Sequence, residues 1–249
     1  MNKNIKSIIV IPARFASTRF PGKPLVNLHN KPIIQHVYDA VKGLGLPVII
    51  ATDNEIIEKS VKAFGANCVL TSPDHQSGSD RIAEVIKELD YDLIINVQGD
   101  EPFIQIEPLK ELIQAFNDKS VDVASLMHKL TSLDEINNPN NVKVVCSKNN
   151  YALYFSRSPI PFNRDGNEEV TYFKHIGVYA YRKQALLDFV KLPMGKLEKI
   201  EKLEQLRFLE NEYRIKMIET NYRGIGIDTP EDLVKAEILI SNEQLAMSN

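Results

Sequence analysis

The chain has 249 residues, 43% hydrophobic and 25% charged, with a formal net charge of -3 at pH 7, which suits one soluble α/β domain with a sizeable core. No run approaches the roughly 20 apolar residues of a membrane span, Ile8–Ile11 is too short for a signal peptide and runs into Pro12 and Arg14, and without a basic tract general nucleic-acid binding is disfavoured. Two cysteines, Cys68 and Cys146, sit among β-formers and read as reduced core residues of a cytoplasmic protein.

Along the first half, short apolar runs alternate with helical patterns. Ile8–Ile11 reads as a strand, followed by a loop and a helix over Pro32–Lys42. Val48–Ala51 is a second strand, and the helix after it carries Ile56, Ile57, Val61 and Phe64 before Gly65, a residue suited to a left-handed cap. Cys68–Leu70 is a third strand. A helix starting near Ser79 follows, with Ile82, Val85, Ile86 and Leu89 on one face, and Leu93–Val97 is a continuous apolar strand buried on both sides. This rhythm predicts a doubly wound, mostly parallel sheet with helices on both faces.

The second half differs. Val121–Lys129, Val142–Ser147, Tyr151–Ser156 and Ile176–Tyr181 read as strands, several too close for a crossover helix, so a small antiparallel extension makes the sheet mixed. Asn149-Asn150 suits a hairpin turn. Lys196–Glu210 reads as one helix with Glu198 and Lys202 paired at i,i+4, and Ile215–Ile218 as a late strand. Thr229 caps a last helix, with Pro230 in its first turn and Asp232 completing the box; the tail after Ser241 looks loose. No linker or repeat divides the chain. The expectation is a single domain over 1–249, whose halves, roughly 1–120 and 121–249, differ in their pattern of elements.

The chemistry concentrates at strand ends. From Ile8 to Leu25 a buried strand enters a loop carrying Arg14, Arg19 and Lys23, punctuated by Pro12, Pro21 and Gly22, and no Asp or Glu precedes Asp39. So local a positive field at the carboxyl end of a strand, on a loop stiffened by proline and glycine, points to phosphate binding. Leu93–Val97 ends in Gln98-Gly99-Asp100-Glu101-Pro102, which puts Asp100 at the same crevice; Asp is also common there as a turn former. Asp228 is the natural second carboxylate for Mg²⁺, an ion that takes one or two carboxylates plus phosphate oxygens and water. D-T-P-E is equally a good helix start, so capping and metal binding stay open for Asp228. Ser77-Gly78-Ser79 opens a helix whose amides suit an anion or polar edge. H-E-x-x-H, C-x-x-C, G-x-S-x-G, the Walker string and G-x-G-x-x-G are all missing, which disfavours zinc, redox, serine-hydrolase and dehydrogenase chemistry.

These segments also resemble a known family. I-P-A-R-x-x-S-x-R-x-P-G-K-x-L over Ile11 to Leu25, D-H-Q-S-G-S-D-R at 74–81, N-V-Q-G-D-E-P at 96–102, Y-A-L-Y-F-S-R at 151–157, K-H-I-G-V-Y-A-Y at 174–181, K-L-E-Q-L-R at 202–207 and D-T-P-E-D-L at 228–233 are similar to the 3-deoxy-manno-octulosonate (Kdo) cytidylyltransferases among the CMP-sugar synthetases. The resemblance implies CTP and Kdo as substrates, pyrophosphate and CMP-Kdo as products for lipopolysaccharide synthesis in a Gram-negative cytoplasm, Mg²⁺ as cofactor, and a homodimer built on the second-half strands and the 196–210 helix. It implies Pro12, Ala13, Arg14, Arg19, Lys23, Ser77, Gly78 and Gln98 around the nucleotide, with Asp100 and Asp228 on the metal. It further implies Arg157, His175, Tyr179, Glu204 and Gln205 around the sugar acid, where a guanidinium suits a carboxylate. Lys23, Asp100, Asp228 and Arg14 are the expected catalytic set. Rival expectations are activation of 8-amino-Kdo or of a nine-carbon sialic acid, a metal-dependent glycosyltransferase, and a non-catalytic nucleotide sensor.

Overall fold

A computed structural model describes residues 5–16, 20–166 and 169–247. The chain gathers into two compact units. One holds Lys6–Ile106 and the stretch from Gly224 onward, and the other holds Glu107–Arg223.

In the first unit β1 (Ser7–Ala13) leads to a small hairpin of β2 (Asn27–Leu28) and β3 (Lys31–Pro32). Then come α1 (Ile33–Lys42), β4 (Val48–Thr52), α2 (Glu55–Ala63), β5 (Asn67–Leu70), α3 (Gly78–Ile86) and β6 (Leu93–Asn96). Every residue of β1 is buried, as a strand flanked on both sides must be, and its neighbours β6 and β4 run parallel to it; β5 pairs with β4 on the far side. The path β1 to β4 to β5 moves one way across the sheet, and β5 to β6 returns past β1. Right-handed crossovers therefore put α1 and α2 on one face and α3 on the other. This is the expected double winding, and it fixes a switch point between β1 and β6. Ligands of such sheets bind beyond the strand carboxyl ends there.

The helices form where the apolar spacing allows. α1 buries Ile33, Ile34, Val37 and Val41. α2 starts at Asn54, whose Oδ1 accepts from the amides of Ile56 and Ile57, and it buries Ile57 and Val61. Ile56, expected on that apolar face, is 60% exposed, because a narrow α2 stripe suffices beside an edge strand. For the same reason Cys68 is not a core residue: β5 is half open, Cys68 and Cys146 are both only partly covered, and burial still pushes each thiol up to about 11.

Three helices of the second unit lie where the sequence pattern assigns none. They are α4 (Ile106–Gln114), α5 (Leu133–Asn137) on the far side of β7 (Val123–Lys129), and, after β8 (Lys143–Cys146), β9 (Ala152–Ser156) and β10 (Phe173–Arg182), α6 (Lys183–Phe189). Pro108 stands in the first turn of α4, where a missing amide proton costs little. The remaining elements are α7 (Lys196–Glu201), α8 (Leu206–Glu210) and β11 (Ile215–Glu219). β7 pairs antiparallel with β10 and parallel with β11, and β8 pairs antiparallel with β9 and β10. The β8–β9 hairpin turns at Asn150, which adopts the left-handed φ of 55°.

The segment 196–210 is not one helix. Lys202 turns left-handed (φ 54°) after α7, and the buried Glu198 forms two bonds of 2.8 and 2.5 Å to Arg207 instead of pairing with Lys202. That buried ion pair folds α8 back on α7 and leaves Glu204 and Gln205 at the break, not on the face of a regular helix. At the other end of the chain, α9 (Pro230–Met247) stays helical past Ser241, where a loose tail was expected.

Candidate functional site

A pocket of about 330 Å³ opens in the first unit at the predicted switch point, within the usual range for small-ligand sites. Pro12, Ala13 and Arg14 come from the end of β1, Gln98, Gly99 and Asp100 from the end of β6, and Ser77 and Gly78 from the start of α3. Lys23, Pro24, His75, Gln76, Arg81 and Asp228 complete the lining. Two glycines let these segments approach. A Cβ on Gly99 would stand 2.9 Å from the Pro12 carbonyl, and one on Gly78 would stand 3.2 Å from the Pro12 ring. Ser77 caps α3, taking the Asp80 amide while the Asp80 carboxylate accepts from the Ser77 amide, so the first turn of α3 is held rigidly at the pocket wall.

Lys23 is delivered by a tight turn. Gly22 is left-handed (φ 69°) and caps the short 3₁₀ turn Lys23–Leu25. The Lys23 side chain is only 12% exposed, and its Nζ donates to Asp100 Oδ2 at 2.6 Å and to Asp228 Oδ1 at 3.0 Å. Burial opposes the charge, but Asp100 and then Asp228 outweigh it and raise the ammonium pKa. The two carboxylates meet because the Ile227 amide donates to the Asp100 carbonyl at 2.9 Å. Ile227 itself is locked in a cluster with Leu28, Ile33 and Ala236.

Capping of α9 falls to other groups. Thr229 Oγ1 accepts from the Asp232 amide, and Asp232 Oδ2 accepts from the amides of Asp228 and Thr229. Asp228 Oδ1 meets Lys23 Nζ in the crevice. Two carboxylates converging on one cation match the donor set Mg²⁺ takes from a protein when phosphate oxygens and water supply the rest. Among the described residues, no group of three or more His, Cys, Asp or Glu is placed to hold an ion. Asp100 and Asp228 could hold Mg²⁺ in that mode.

The second unit brings together four of the five residues expected at a sugar acid. His175 packs edge-on to Phe155 at 5.1 Å and lies 5.3 Å from the Tyr179 ring, from which a stack continues through Tyr181 to Phe208. Burial, with a smaller push from Lys174, drives the His175 pKa down to about 3, so its ring is neutral. Ser125 Oγ lies 2.9 Å from the Val178 carbonyl and 3.0 Å from His175 Nε2. A hydroxyl that donates to the carbonyl accepts from Nε2–H, which leaves Nδ1 to accept from Gln205 Nε2 at 3.4 Å. Burial first, then Tyr181 and Glu204, raise the Tyr179 phenol pKa well above its ordinary range and keep it protonated. Arg157, two residues beyond Phe155, bonds to backbone carbonyls. Its Nε donates to the Glu201 carbonyl at 2.8 Å, Nη1 to Pro139 O at 3.0 Å and Nη2 to Lys202 O at 3.4 Å.

The family profile described as Cytidylyltransferase matches residues 8–217. A 3-deoxy-manno-octulosonate cytidylyltransferase of Flavobacterium johnsoniae is 52% identical over 95% of this chain and 99% of its own length. The protein of that name in Fusobacterium nucleatum is 48% identical over 92% and 94%. The chain belongs to the 3-deoxy-manno-octulosonate cytidylyltransferase family. A solved structure of CMP:2-keto-3-deoxy-manno-octonic acid synthetase complexed with CTP superposes with a TM-score of 0.90 at 42% identity, over 96% of this chain and 99% of that one. The 4-diphosphocytidyl-2C-methyl-D-erythritol synthase of Anaerococcus prevotii shares the fold alone, at TM-score 0.63 and 16% identity.

Within this cytidylyltransferase frame, Pro12, Ala13, Arg14, Lys23, Ser77, Gly78, Gln98, Asp100 and Asp228 all line one pocket; Arg19 lies outside the described residues. Residue-type reasoning did not single out His75, Gln76, Pro24, Gly99 or Arg81. Arg81 pairs with Asp53 at 2.6 Å and with Thr71 Oγ1, and His75 pairs with Glu84. The signal for Arg81 was its spacing, one helical turn after Ser77 and Gly78, which returns its side chain to the face they open.

Proposed function

We propose that this chain transfers CMP from CTP to the anomeric 2-hydroxyl of Kdo. The sugar oxygen bonds to the α-phosphorus, the bond from that phosphorus to the α,β-bridging oxygen breaks, the hydroxyl proton passes to solvent, and pyrophosphate leaves in line. The observation that carries the reading is the Asp100–Lys23–Asp228 triad at the switch point, in a chain with full-length relatives of that named activity. Phosphoryl transfer runs mainly on positioning and charge neutralisation, and these residues supply both. Lys23, kept cationic by its two carboxylates, and the exposed Arg14 would bind phosphate oxygens and meet charge growing on pyrophosphate. The amides opening α3 would fix the nucleotide end, with Gln98, whose Nε2 donates to Asn96 at 3.1 Å, near the base. Asp100 and Asp228 would hold Mg²⁺, which when bound would supply Lewis-acid chemistry at the reacting oxygens.

The neutral His175, Tyr179, Glu204 and Gln205 would form the sugar-acid pocket. His175 and Gln205 are buried and bonded to each other, and the Tyr179 hydroxyl and half-buried Glu204 beside them add polar groups suited to a polyhydroxylated ligand. We further propose a cytoplasmic homodimer supplying lipopolysaccharide synthesis, associated through the second unit. In support, Leu153, Met194, Leu197 and Ile200 leave apolar surface exposed on and beside α7, as an interface needs.

The test is pyrophosphate release by the purified chain with CTP, ATP, GTP or UTP against Kdo, 8-amino-Kdo and N-acetylneuraminate, with and without Mg²⁺. Release is expected with CTP and Kdo in Mg²⁺, with UTP the nearest nucleotide competitor. Equal use of ATP, or release that ignores the sugar acid, would end this reading.

A further inference from the structure

We propose that Lys143 and Glu201 are positioning residues for the sugar acid, acting through Arg157 on the turn that carries Glu204 and Gln205. The proposal rests on the reading of the sugar pocket given above.

Lys143 sits on β8 and is wholly buried. A buried ammonium is costly unless its donors are taken, and this one donates to the carbonyls of Asn138 at 3.0 Å and Arg157 at 2.5 Å. Burial and then the Arg157 charge push its pKa down, while Glu201 opposes them. The node is therefore held by hydrogen bonds: the Lys143 ammonium and the Arg157 guanidinium both donate to backbone carbonyls, while the Glu201 carboxylate takes the Ser156 hydroxyl and the Arg157 amide. Glu201 is engaged along its whole length. Its Oε1 accepts from Ser156 Oγ at 2.7 Å, its Oε2 from the Arg157 amide at 3.0 Å, and its carbonyl from Arg157 Nε at 2.8 Å.

These bonds staple three separate segments: Asn138–Pro139 after α5, Ser156–Arg157 at the end of β9, and Glu201–Lys202 at the end of α7. At least three of the five guanidinium N–H groups serve the staple. Arg157 thus holds the carbonyls immediately ahead of Glu204, and the left-handed Lys202 (φ 54°) sets the direction in which the chain leaves α7. One residue beyond Glu204, Gln205 reaches His175. Releasing the staple lets the turn drift while the hydrophobic stack beneath it stays in place. A drift near 1 Å is enough to cost on the order of a hundredfold in a well-oriented site.

Glu201→Gln keeps the shape and removes the charge. It is expected to raise KM for Kdo about tenfold, with KM for CTP within about twofold and kcat within about threefold, the pattern of lost binding common to ground and transition states. Ser156→Ala keeps the Glu201 carboxylate but frees one oxygen, and a smaller rise of about threefold in the same constant is expected. It decides the matter should Glu201→Gln fail to fold. Lys143→Met should follow Glu201→Gln in sign. Melting curves are recorded for each variant. An unchanged KM for Kdo with only a lower melting temperature, or an equal rise in both Michaelis constants, would overturn the proposal. A wild-type protein inert toward CTP and Kdo fails before any variant is made and removes the reading beneath it.

Discussion

Lys23→Met isolates the central ion pair, because methionine keeps the buried stem and removes the ammonium. Each charge-assisted hydrogen bond is worth about 1.5–3 kcal/mol, and Lys23 makes two. Asp228 is 46% exposed, so solvent screening holds its contact to at most about 1 kcal/mol. The desolvation of Lys23, which methionine does not suffer, offsets part of the Asp100 contact. A net loss of about 2 kcal/mol follows, which for 249 residues lowers the melting temperature by about 4–8 °C. The pKa of Lys23 is raised on folding, so its contribution is complete below the ordinary lysine value and disappears only as pH rises through the folded value. The difference between wild type and variant should be flat from about pH 6 to 9 and vanish in strong alkali. Scanning fluorimetry over that range measures it, and pyrophosphate release measures the kinetic side. Turnover should fall about a hundredfold or more, as for loss of a main electrostatic stabiliser, with KM for CTP rising more than KM for Kdo. A variant as stable as wild type, or one that turns over within about threefold of it, would refute the bridging role.

Asp100→Asn and Asp228→Asn should each cut turnover roughly a hundredfold while α9 stays folded, since Thr229 and Asp232 do the capping; circular dichroism and pyrophosphate release at saturating Mg²⁺ check both halves. Near-wild-type activity in Asp228→Asn would exclude it as a metal ligand. Acid sensitivity should trace in part to His175. Its folded pKa of about 3 lies below the ordinary 6.5, so the unfolded chain takes the proton first. Stability present above about pH 6.5 is lost at up to about 1.4 kcal/mol per unit as pH falls toward 3. Urea midpoints at pH 7 and 4.5 for wild type and His175→Gln should differ in slope, and identical slopes would contradict a neutral buried ring.

The sequence by itself determined whatever depends on local pattern. A strand buried on every residue, β1, needs only a run of apolar side chains, and the order of strands and helices up to Leu93 dictates the double winding and the place of its switch point. The clustering of Arg14, Lys23 and Asp100 at that point followed directly. Tertiary structure alone decided matters set by distant partners. Spacing alone reads Asp228 as cap or ligand; the folded chain adds that Thr229 and Asp232 make cap bonds and that the Ile227–Asp100 bond brings Asp228 to Lys23. The helix expected over Lys196–Glu210 breaks because Glu198 finds Arg207, a choice between two cations that local spacing cannot make. Arg157, expected at the sugar acid, gives three of its guanidinium N–H groups to carbonyls of segments 18 and about 45 residues away. Hydrogen-bond partners so far apart in the chain leave no periodic trace in it, because backbone carbonyls are the same in every residue.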